Sequence, residues 1–277
     1  MKNKNITWGE LQRLALNRLW KGTKSEMTST INLESVVSFF GPTSIVPHEL
    51  SVRSVDEFVH SLEAKGNSNA TINRKLNALS RVLKFALERE YVIKLPKIER
   101  KKERNGRIRW LTKEEEQSLV NHFISSGRKD VATLCLFLLD TGARVGEALK
   151  VQWKDIQNNM VTFWDTKNNT SRSIPLTSRL STLLQNKEPS GPFLNINYNE
   201  LHYLWGKAKE ALGLSNDEEF VPHCLRHTCA SRLVQSGVPI LTAKEFLGHK
   251  SVNITMRYAH LAPQNLKEAI KALEKQQ

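Results

Sequence analysis

The sequence predicts a mainly α-helical protein with one small β-hairpin, built as an all-helical N-terminal domain followed by a mixed α/β domain. Apolar residues recur at helical spacing through most of the 277 residues, and only 160–164 and 172–176 combine β-forming residues with an intervening polar segment. The stretch 97–109 holds seven basic and two acidic residues and almost nothing apolar. We therefore expect domains at 1–96 and 110–277, joined by a basic linker.

Four helices are expected in the first domain. Thr7 and Glu10 form a capping box at the start of the first helix, and the second helix covers about 28–40. Ser54 and Glu57 predict another capping box at the start of the third helix. No strand signal occurs before residue 100, which favours a small helical bundle.

The fourth helix, at about 69–90, combines an apolar stripe with basic flanks. The stripe residues recur three or four positions apart and are Ile72, Leu76, Leu79, Leu83 and Ala86. The basic residues on the flanks are Arg74, Lys75, Arg81 and Lys84. Such a flank is either a solvated helix face or a set of phosphate contacts.

The second domain opens with a capping pattern at Thr112 and continues with an apolar helix at 131–139. The hairpin follows, with the pair Asn168-Asn169 at its turn. Helices then return, and 264–277 predicts an amphipathic tail helix.

The net charge of +13 and the pI near 9.7 indicate a polyanionic partner, either nucleic acid or an anionic membrane surface. Residues 1–109 hold 21 Lys/Arg against 11 Asp/Glu, a net charge of +10, and 110–277 hold 20 against 17, a net charge of +3. No run approaches the ~18 apolar residues of a membrane span, so we expect a cytoplasmic, nucleoid-associated protein without a membrane partner. The three cysteines include no Cys-x-x-Cys pair, which argues against a disulfide framework or a cysteine zinc site.

Two segments of the second domain carry residues suited to phosphate chemistry. Gly142 forms a turn that brings Arg144 to a helix start, where backbone N–H groups and a guanidinium attract an anion. Glu147 can orient Arg144, although the pair also suits an ordinary surface. His223 and Arg226 lie three residues apart and share a helix face.

A third segment adds a histidine and a tyrosine. Gly248 caps a helix immediately before His249, and Tyr258 follows nine residues later. Each feature alone is typical of ordinary structure, because His-x-x-Arg pairs and tyrosines beside arginine are common. The occurrence of all these features in one chain, in this order, is what indicates a function.

Together these segments resemble the tyrosine recombinase family over about 110–262. The matching residues, in chain order, are Arg144, Glu147, Lys167, His223, Arg226, His249 and Tyr258. The resemblance implies that the helical domain binds the core DNA site and that the two domains form a C-shaped clamp on double-stranded DNA. The basic residues expected on the DNA are Arg74, Lys75, Arg81, Lys84, Arg104 and Arg107.

In that family a tyrosine attacks the scissile phosphodiester, releases a 5′-hydroxyl and forms a 3′-phosphotyrosyl bond that a partner strand reverses. No metal or energy cofactor is needed. The resemblance makes Tyr258 the nucleophile, Lys167 the acid that protonates the leaving oxygen, and His223 the group that assists proton transfer from Tyr258. The family often has a further basic residue in this hairpin that is missing here, so Lys154 and Arg172 are alternatives to Lys167.

The same resemblance gives Arg144 and Arg226 the task of stabilising the pentacoordinate phosphate, since a guanidinium stays charged and binds two oxygens at once. His249 would hydrogen-bond the phosphate, and Glu147 would support the site. The tail at 264–277 would pack on its own domain or on a neighbouring subunit. A tetramer on paired DNA sites is expected, with a monomer in solution and accessory DNA-bending or directionality proteins as further possibilities.

Three other functions are compatible with parts of this pattern. They are a type IB topoisomerase, a DNA-binding regulator with relic catalytic residues, and metal-dependent hydrolysis through His223, His227 and His249. Many phage integrases carry an arm-binding domain ahead of the helical one, whereas Thr7 already begins the first helix here. The chain is therefore expected either to act at simple core sites or to be a shortened member.

Overall fold

The computed structural model describes residues 5–103, 108–165, 170–185, 191–262 and 273–274. The chain divides into two compact units, Met1–Gly106 and Arg107–Gln277, with the division inside the basic stretch. Within the described ranges no helix is both long enough and apolar enough to cross a membrane.

The described part of the first unit is helical, as the sequence predicts. Its helices are α1 Trp8–Leu19, α2 Glu26–Phe40, α3 Val52–Ala64 and α4 Asn69–Leu87. Thr7 caps α1 through the expected box with Glu10. The cap predicted at Ser54 is wrong, because Ser51 is the N-cap of α3 and its hydroxyl accepts the Ser54 N–H at 3.0 Å.

The apolar stripe of α4 forms the centre of the first unit. All five stripe residues are buried, and α4 packs against α1, α2 and α3. Burying each large side chain stabilises the fold by roughly 1.5–3 kcal/mol, which makes α4 the main packing element. The basic flank of this helix is therefore fixed relative to the core.

Lys75 departs from the predicted exposed flank. It is only 9 % exposed, and its ammonium donates to the Ser35 hydroxyl of α2. Burial lowers the pKa of Lys75. The predicted phosphate contact of Lys75 would require this amine to leave Ser35 and become exposed, whereas Arg74, Arg81 and Lys84 are already exposed.

The residues at 100–103 belong to the first unit rather than to a free linker. The Asn73 side chain of α4 accepts the Lys101 backbone N–H and donates to the Lys101 carbonyl, both at 2.9 Å. Arg100 donates to the Asn73 carbonyl at 2.9 Å and to Asn77 Oδ1 at 2.8 Å. Asn69 donates to the Lys102 carbonyl at 2.8 Å. Three asparagines spaced four residues apart on α4, Asn69, Asn73 and Asn77, therefore hold the segment 100–103.

Eight helices and three strands make up the described part of the second unit. The helices are α5 Lys113–Ser125, α6 Lys129–Thr141, α7 Val145–Ala148, α8 Ser178–Leu183, α9 Tyr198–Ala211, α10 His223–Gln235, α11 Ile240–Leu247 and α12 Val252–Met256. The capping box at Thr112 is confirmed. The apolar helix α6 is buried along most of its length and packs against α5, α8 and α10.

The antiparallel sheet contains one more strand than the sequence predicts. It has the order β1 Ile156–Gln157, β2 Met160–Asp165, β3 Thr170–Pro175, and Val161 pairs with Ile174. Strand β1 is two residues long and was missed. Asn158 and Asn159 both have positive φ between β1 and β2, which is the hairpin signal that could have revealed it. The predicted turn at 168–169 lies outside the described residues.

We expect Asn73→Ala to release the 100–103 segment from α4. The change removes both hydrogen bonds to the Lys101 backbone, each with a net value of roughly 0.5–1.5 kcal/mol. Trypsin should then cleave after Arg100 and Lys101 several-fold faster under native conditions. As a control, Arg53→Ala removes an exposed ion pair of α3 and should leave these cleavages unchanged; equal rates in Asn73→Ala and wild type would contradict the docking.

Candidate active site

Two left-handed glycine caps deliver the first two site residues. Gly142 ends α6 with φ of 59° and Gly248 ends α11 with φ of 66°. A Cβ on Gly142 would lie 2.6 Å from the Leu247 side chain, so both the backbone conformation and the packing require glycine. Arg144 follows the first cap by two residues and His249 follows the second directly, as the sequence predicts.

Arg226 joins the two caps from α10. Its guanidinium donates to the Gly142 carbonyl and, at 2.7 Å, to the Leu247 carbonyl. The residue is only 3 % exposed, and burial followed by the nearby charge of Arg144 lowers the pKa of Arg226 to about 10. Arg226 therefore remains cationic at neutral pH, but part of its donor set is committed to the protein backbone.

Arg144 is the more accessible arginine of the site, with 45 % of its side chain exposed. It donates to Glu147 Oε1 at 2.7 Å and to the Gly248 carbonyl at 3.3 Å. The Arg144 backbone N–H also donates to Glu147 Oε2 at 2.9 Å. The predicted orienting contact between Glu147 and Arg144 is present.

A second arginine from strand β3 binds the same carboxylate. Arg172 donates to Glu147 Oε2 at 2.7 Å and lies over the Phe163 ring at 4.6 Å from its centroid. Burial raises the pKa of Glu147, but the hydrogen bonds from Arg172 and Arg144 outweigh it and hold this pKa at about 2. The carboxylate is ionised under all physiological conditions.

His249 is buried beside these arginines, and its Nδ1 is hydrogen-bonded to the Thr255 hydroxyl of α12 at 2.8 Å. Burial, then the charges of Arg226 and Arg144, lower the pKa of His249 to about 4. The ring is therefore neutral at pH 7. A Thr255 hydroxyl that donates to Nδ1 leaves the ring proton on Nε2, the atom that would face a phosphate.

Tyr258 contacts His227, one helical turn beyond His223, the histidine that the resemblance assigns to proton transfer from Tyr258. The Tyr258 hydroxyl shares a hydrogen bond of 2.5 Å with His227 Nδ1. His223 and His227 lie one helical turn apart, with ring centroids 4.8 Å apart, so either could have reached the tyrosine on sequence grounds. Burial lowers the pKa of His227 to about 4 and also lowers that of His223.

The Tyr258 side chain is buried, with 2 % exposure, and burial raises its pKa. It packs in a small apolar cluster that includes Cys229, Ala230, Val234, Ala243 and Leu247. The cluster lies between α10, the helix that carries Arg226, and α11. The expected nucleophile is thus beside the cationic residues but covered by protein.

The remaining predicted residues have different outcomes. Lys167, Arg104 and Arg107 lie outside the described residues. Lys154, one alternative acid, is exposed on a 3₁₀ turn, and Arg172, the other, is bound to Glu147. In the parts of the chain that the structure describes, no group of three or more His, Cys, Asp or Glu is placed to hold a metal ion.

Comparison with known proteins identifies the class. The model of the phage integrase family matches residues 109–265, more than half of the chain, and the chain belongs to this family. It is 29 % identical to the integrase of Escherichia phage P2 over 219 residues, covering 78 % of this chain and 63 % of that protein. It is 26 % identical to the tyrosine recombinase XerA of Saccharolobus solfataricus, covering 96 % of this chain and 93 % of XerA.

The fold agrees with this family. The integrase of the Tn1549 transposon, solved in complex with a circular intermediate DNA, superposes with a TM-score of 0.78 at 17 % identity, over 98 % of this chain and 99 % of that chain. The predicted fold class is therefore confirmed. The chain spans 63 %, 49 % and 47 % of the lengths of the phage P2, HP1 and 186 integrases that it matches.

The two neutral histidines predict a pH dependence of stability. Their folded pKa values of about 4 lie below the ordinary 6.5, so the unfolded chain binds more protons between these values. Stability from His227 and His249 is complete above pH 6.5 and is lost as the pH falls towards 4. Chemical denaturation at several pH values should show a falling midpoint in this window.

The variant His227→Gln/His249→Asn should have a flatter profile between pH 6.5 and 4.5, because it lacks both groups. His202→Gln, which removes an exposed histidine of α9, serves as the control and should keep the wild-type slope. A double variant with the full wild-type slope would show that these two histidines are not the source.

Proposed function

We propose that this chain is a tyrosine-type site-specific DNA recombinase that cleaves and rejoins DNA strands through a 3′-phosphotyrosyl intermediate. One observation carries the proposal. Arg144, Arg226, His249 and His223 come from three separate segments to one cationic cluster, and Tyr258 lies against the same face of α10. Membership of the phage integrase family supports the same reaction.

The cationic cluster suits a pentacoordinate phosphate. Arg144 is 45 % exposed and its guanidinium can donate to two phosphate oxygens, and the buried charge of Arg226 acts through a medium that screens it less than water does. His249 adds a neutral Nε2–H donor. Charge that develops on the phosphate in the transition state is thereby stabilised without a bound metal ion.

The phenolic oxygen of Tyr258 forms the new bond to phosphorus as the bond to the 5′ oxygen breaks. His227 holds the hydroxyl while Tyr258 is covered. His223, which lies beside Arg226 and Arg144, is proposed to take the phenolic proton once Tyr258 has moved, and Lys167 is proposed to give a proton to the leaving 5′ oxygen. In the second half of the reaction a 5′-hydroxyl attacks the phosphotyrosine and Tyr258 regains its proton. The energy of the phosphodiester is kept in the covalent bond.

Tyr258 has to leave its pocket for this step, because a phosphodiester cannot reach a side chain that is 2 % exposed. We propose that the segment after α12, up to the end of the 3₁₀ turn Ala259–Leu261, moves when DNA binds, while α12 stays on His249 through Thr255. The structure then represents the form before cleavage, with the nucleophile stored beside the site.

Double-stranded DNA is the proposed partner. The +10 net charge of residues 1–109, together with exposed Arg74, Arg81 and Lys84 on α4, supplies an attractive field for phosphates. The related Tn1549 integrase was solved with DNA. Strand exchange joins two duplexes with two cleavages each, so we propose a homotetramer on paired sites, with accessory proteins that set the direction.

The decisive test is trapping of a covalent adduct on a nicked DNA substrate that carries the recombination site. Wild-type protein should form a protein–DNA adduct that survives denaturation, because a nick lets the short strand diffuse away. Tyr258→Phe should form none while binding the same DNA, and EDTA should not change the wild-type yield. Tyr203→Phe, an exposed tyrosine of α9, is the matched control and should retain full yield.

DNA binding without any adduct from the intact protein would instead indicate a regulator with relic catalytic residues. Adduct formation with plasmid relaxation, but without exchange between two sites, would indicate a topoisomerase. Both outcomes exclude the proposed recombinase.

The general acid can be identified with a substrate whose leaving 5′ oxygen is replaced by sulfur. A thiol has a pKa of about 8.5, far below that of an alcohol, so a 5′-thiolate leaves without protonation. Lys167→Ala should cleave the oxygen substrate at least about a hundredfold more slowly than wild type and the sulfur substrate at nearly the wild-type rate. Lys154→Ala should cleave both substrates normally. The opposite pattern would move the acid role to Lys154.

A further inference from the structure

Two arginines share one carboxylate at the centre of the site. Glu147 Oε1 accepts from Arg144 at 2.7 Å, and Glu147 Oε2 accepts from Arg172 at 2.7 Å. A second Arg172 nitrogen lies 3.4 Å from Oε1, so Arg172 spans both carboxylate oxygens. The orientation of the carboxylate, and with it the direction of Arg144, depends on both partners.

Arg172 is enclosed, unlike Arg144. Its side chain is 16 % exposed against 45 % for Arg144. The Phe163 ring packs against one side of the guanidinium, and the backbone of Gly248 lies so close that a Cβ there would come within 2.8 Å of an Arg172 nitrogen. Arg172 therefore faces Glu147 and the protein interior, whereas nearly half of the Arg144 side chain is exposed to solvent.

The charge balance gives Arg172 a second effect. Glu147 paired with Arg144 alone would cancel the positive charge that a phosphate needs. With two arginines on one carboxylate the group keeps a net charge of +1, and the pKa of Glu147 at about 2 shows that it stays ionised. The accessible arginine is thereby held in place without being neutralised.

We infer that Arg172 is a positioning residue for strand cleavage. It acts through Glu147 to fix the orientation of the Arg144 side chain and to keep the positive charge of Arg144 available to the scissile phosphate. The inference rests on the proposed function. It differs from the alternative in which Arg172 itself contacts the phosphate or protonates the leaving oxygen.

Single-turnover adduct formation at saturating nicked DNA tests the inference. Arg172→Ala should lower the cleavage rate by about tenfold or more and change DNA affinity by less than about twofold, because the lost contact lies inside the protein. Arg172→Lys keeps the charge but loses the two-pronged contact, and should recover part of the rate. Arg179→Ala is the matched control, since Arg179 also bridges two carboxylates of this unit, Asp140 and Glu116.

The double variants separate the two roles of Arg172. If Arg172 acts through Glu147 and Arg144, adding Arg172→Ala to Arg144→Ala should lower the rate by less than about twofold further. A full tenfold further loss in that background would overturn the inference, because it would indicate direct contact with DNA. An unchanged rate in Arg172→Ala alone would overturn it as well.

A second readout does not depend on catalysis. The Arg144 Nε–H resonance, assigned by its loss in Arg144→Ala, should be sharp in the wild type and in Arg179→Ala, and broadened or shifted in Arg172→Ala. An Arg144 resonance that is unchanged in Arg172→Ala would refute the positioning role even if adducts form. If the wild type forms no adduct but the Arg144 resonance changes in Arg172→Ala as expected, the proposed function is refuted and the positioning role of Arg172 remains supported.

Discussion

The site depends on one buried guanidinium. Arg226 donates to the carbonyl of the first glycine cap, Gly142, and to the Leu247 carbonyl just before the second cap, Gly248. These caps lead to Arg144 and His249. A charged hydrogen bond of this kind contributes roughly 1.5–3 kcal/mol, and its loss would leave two buried carbonyls unpaired. Segments more than a hundred residues apart in sequence are therefore held at one place by a side chain of α10.

The electrostatics of the cluster follow from the same burial. Arg144 and Arg172 share Glu147 as their carboxylate partner, while burial and the neighbouring positive charges lower the pKa of His249 and His227 to about 4. Neutral histidines add hydrogen-bonding capacity without adding repulsion. The positive charge thus resides in guanidinium groups, which remain charged at neutral pH, and the accessible one, on Arg144, is suited to binding two phosphate oxygens.

Local signals in the sequence predicted local structure well, and tertiary contacts account for what they missed. The caps at Thr7, Thr112, Gly142 and Gly248 depend on a few adjacent residues, so they could be read directly. The burial of Lys75 depends on α2, which lies about forty residues earlier in the chain. The choice of His227 over His223 as the Tyr258 partner, and the link between Arg172 and Glu147, likewise depend on packing between distant elements, for which a single sequence carries no direct signal.

Only a small free energy keeps the Tyr258 side chain in its buried position, so exposing it costs little. Exposing the ring forfeits roughly 1.5–3 kcal/mol of apolar burial, and the bond to His227 can be exchanged for bonds to water at a net loss of about 1 kcal/mol. Non-specific DNA binding with a dissociation constant of about 10⁻⁴–10⁻⁶ M corresponds to roughly 5–8 kcal/mol. In the proposed reaction, a DNA complex that favours the exposed tyrosine by only part of that amount would shift the equilibrium towards the cleavage-competent form, and without DNA Tyr258 stays covered.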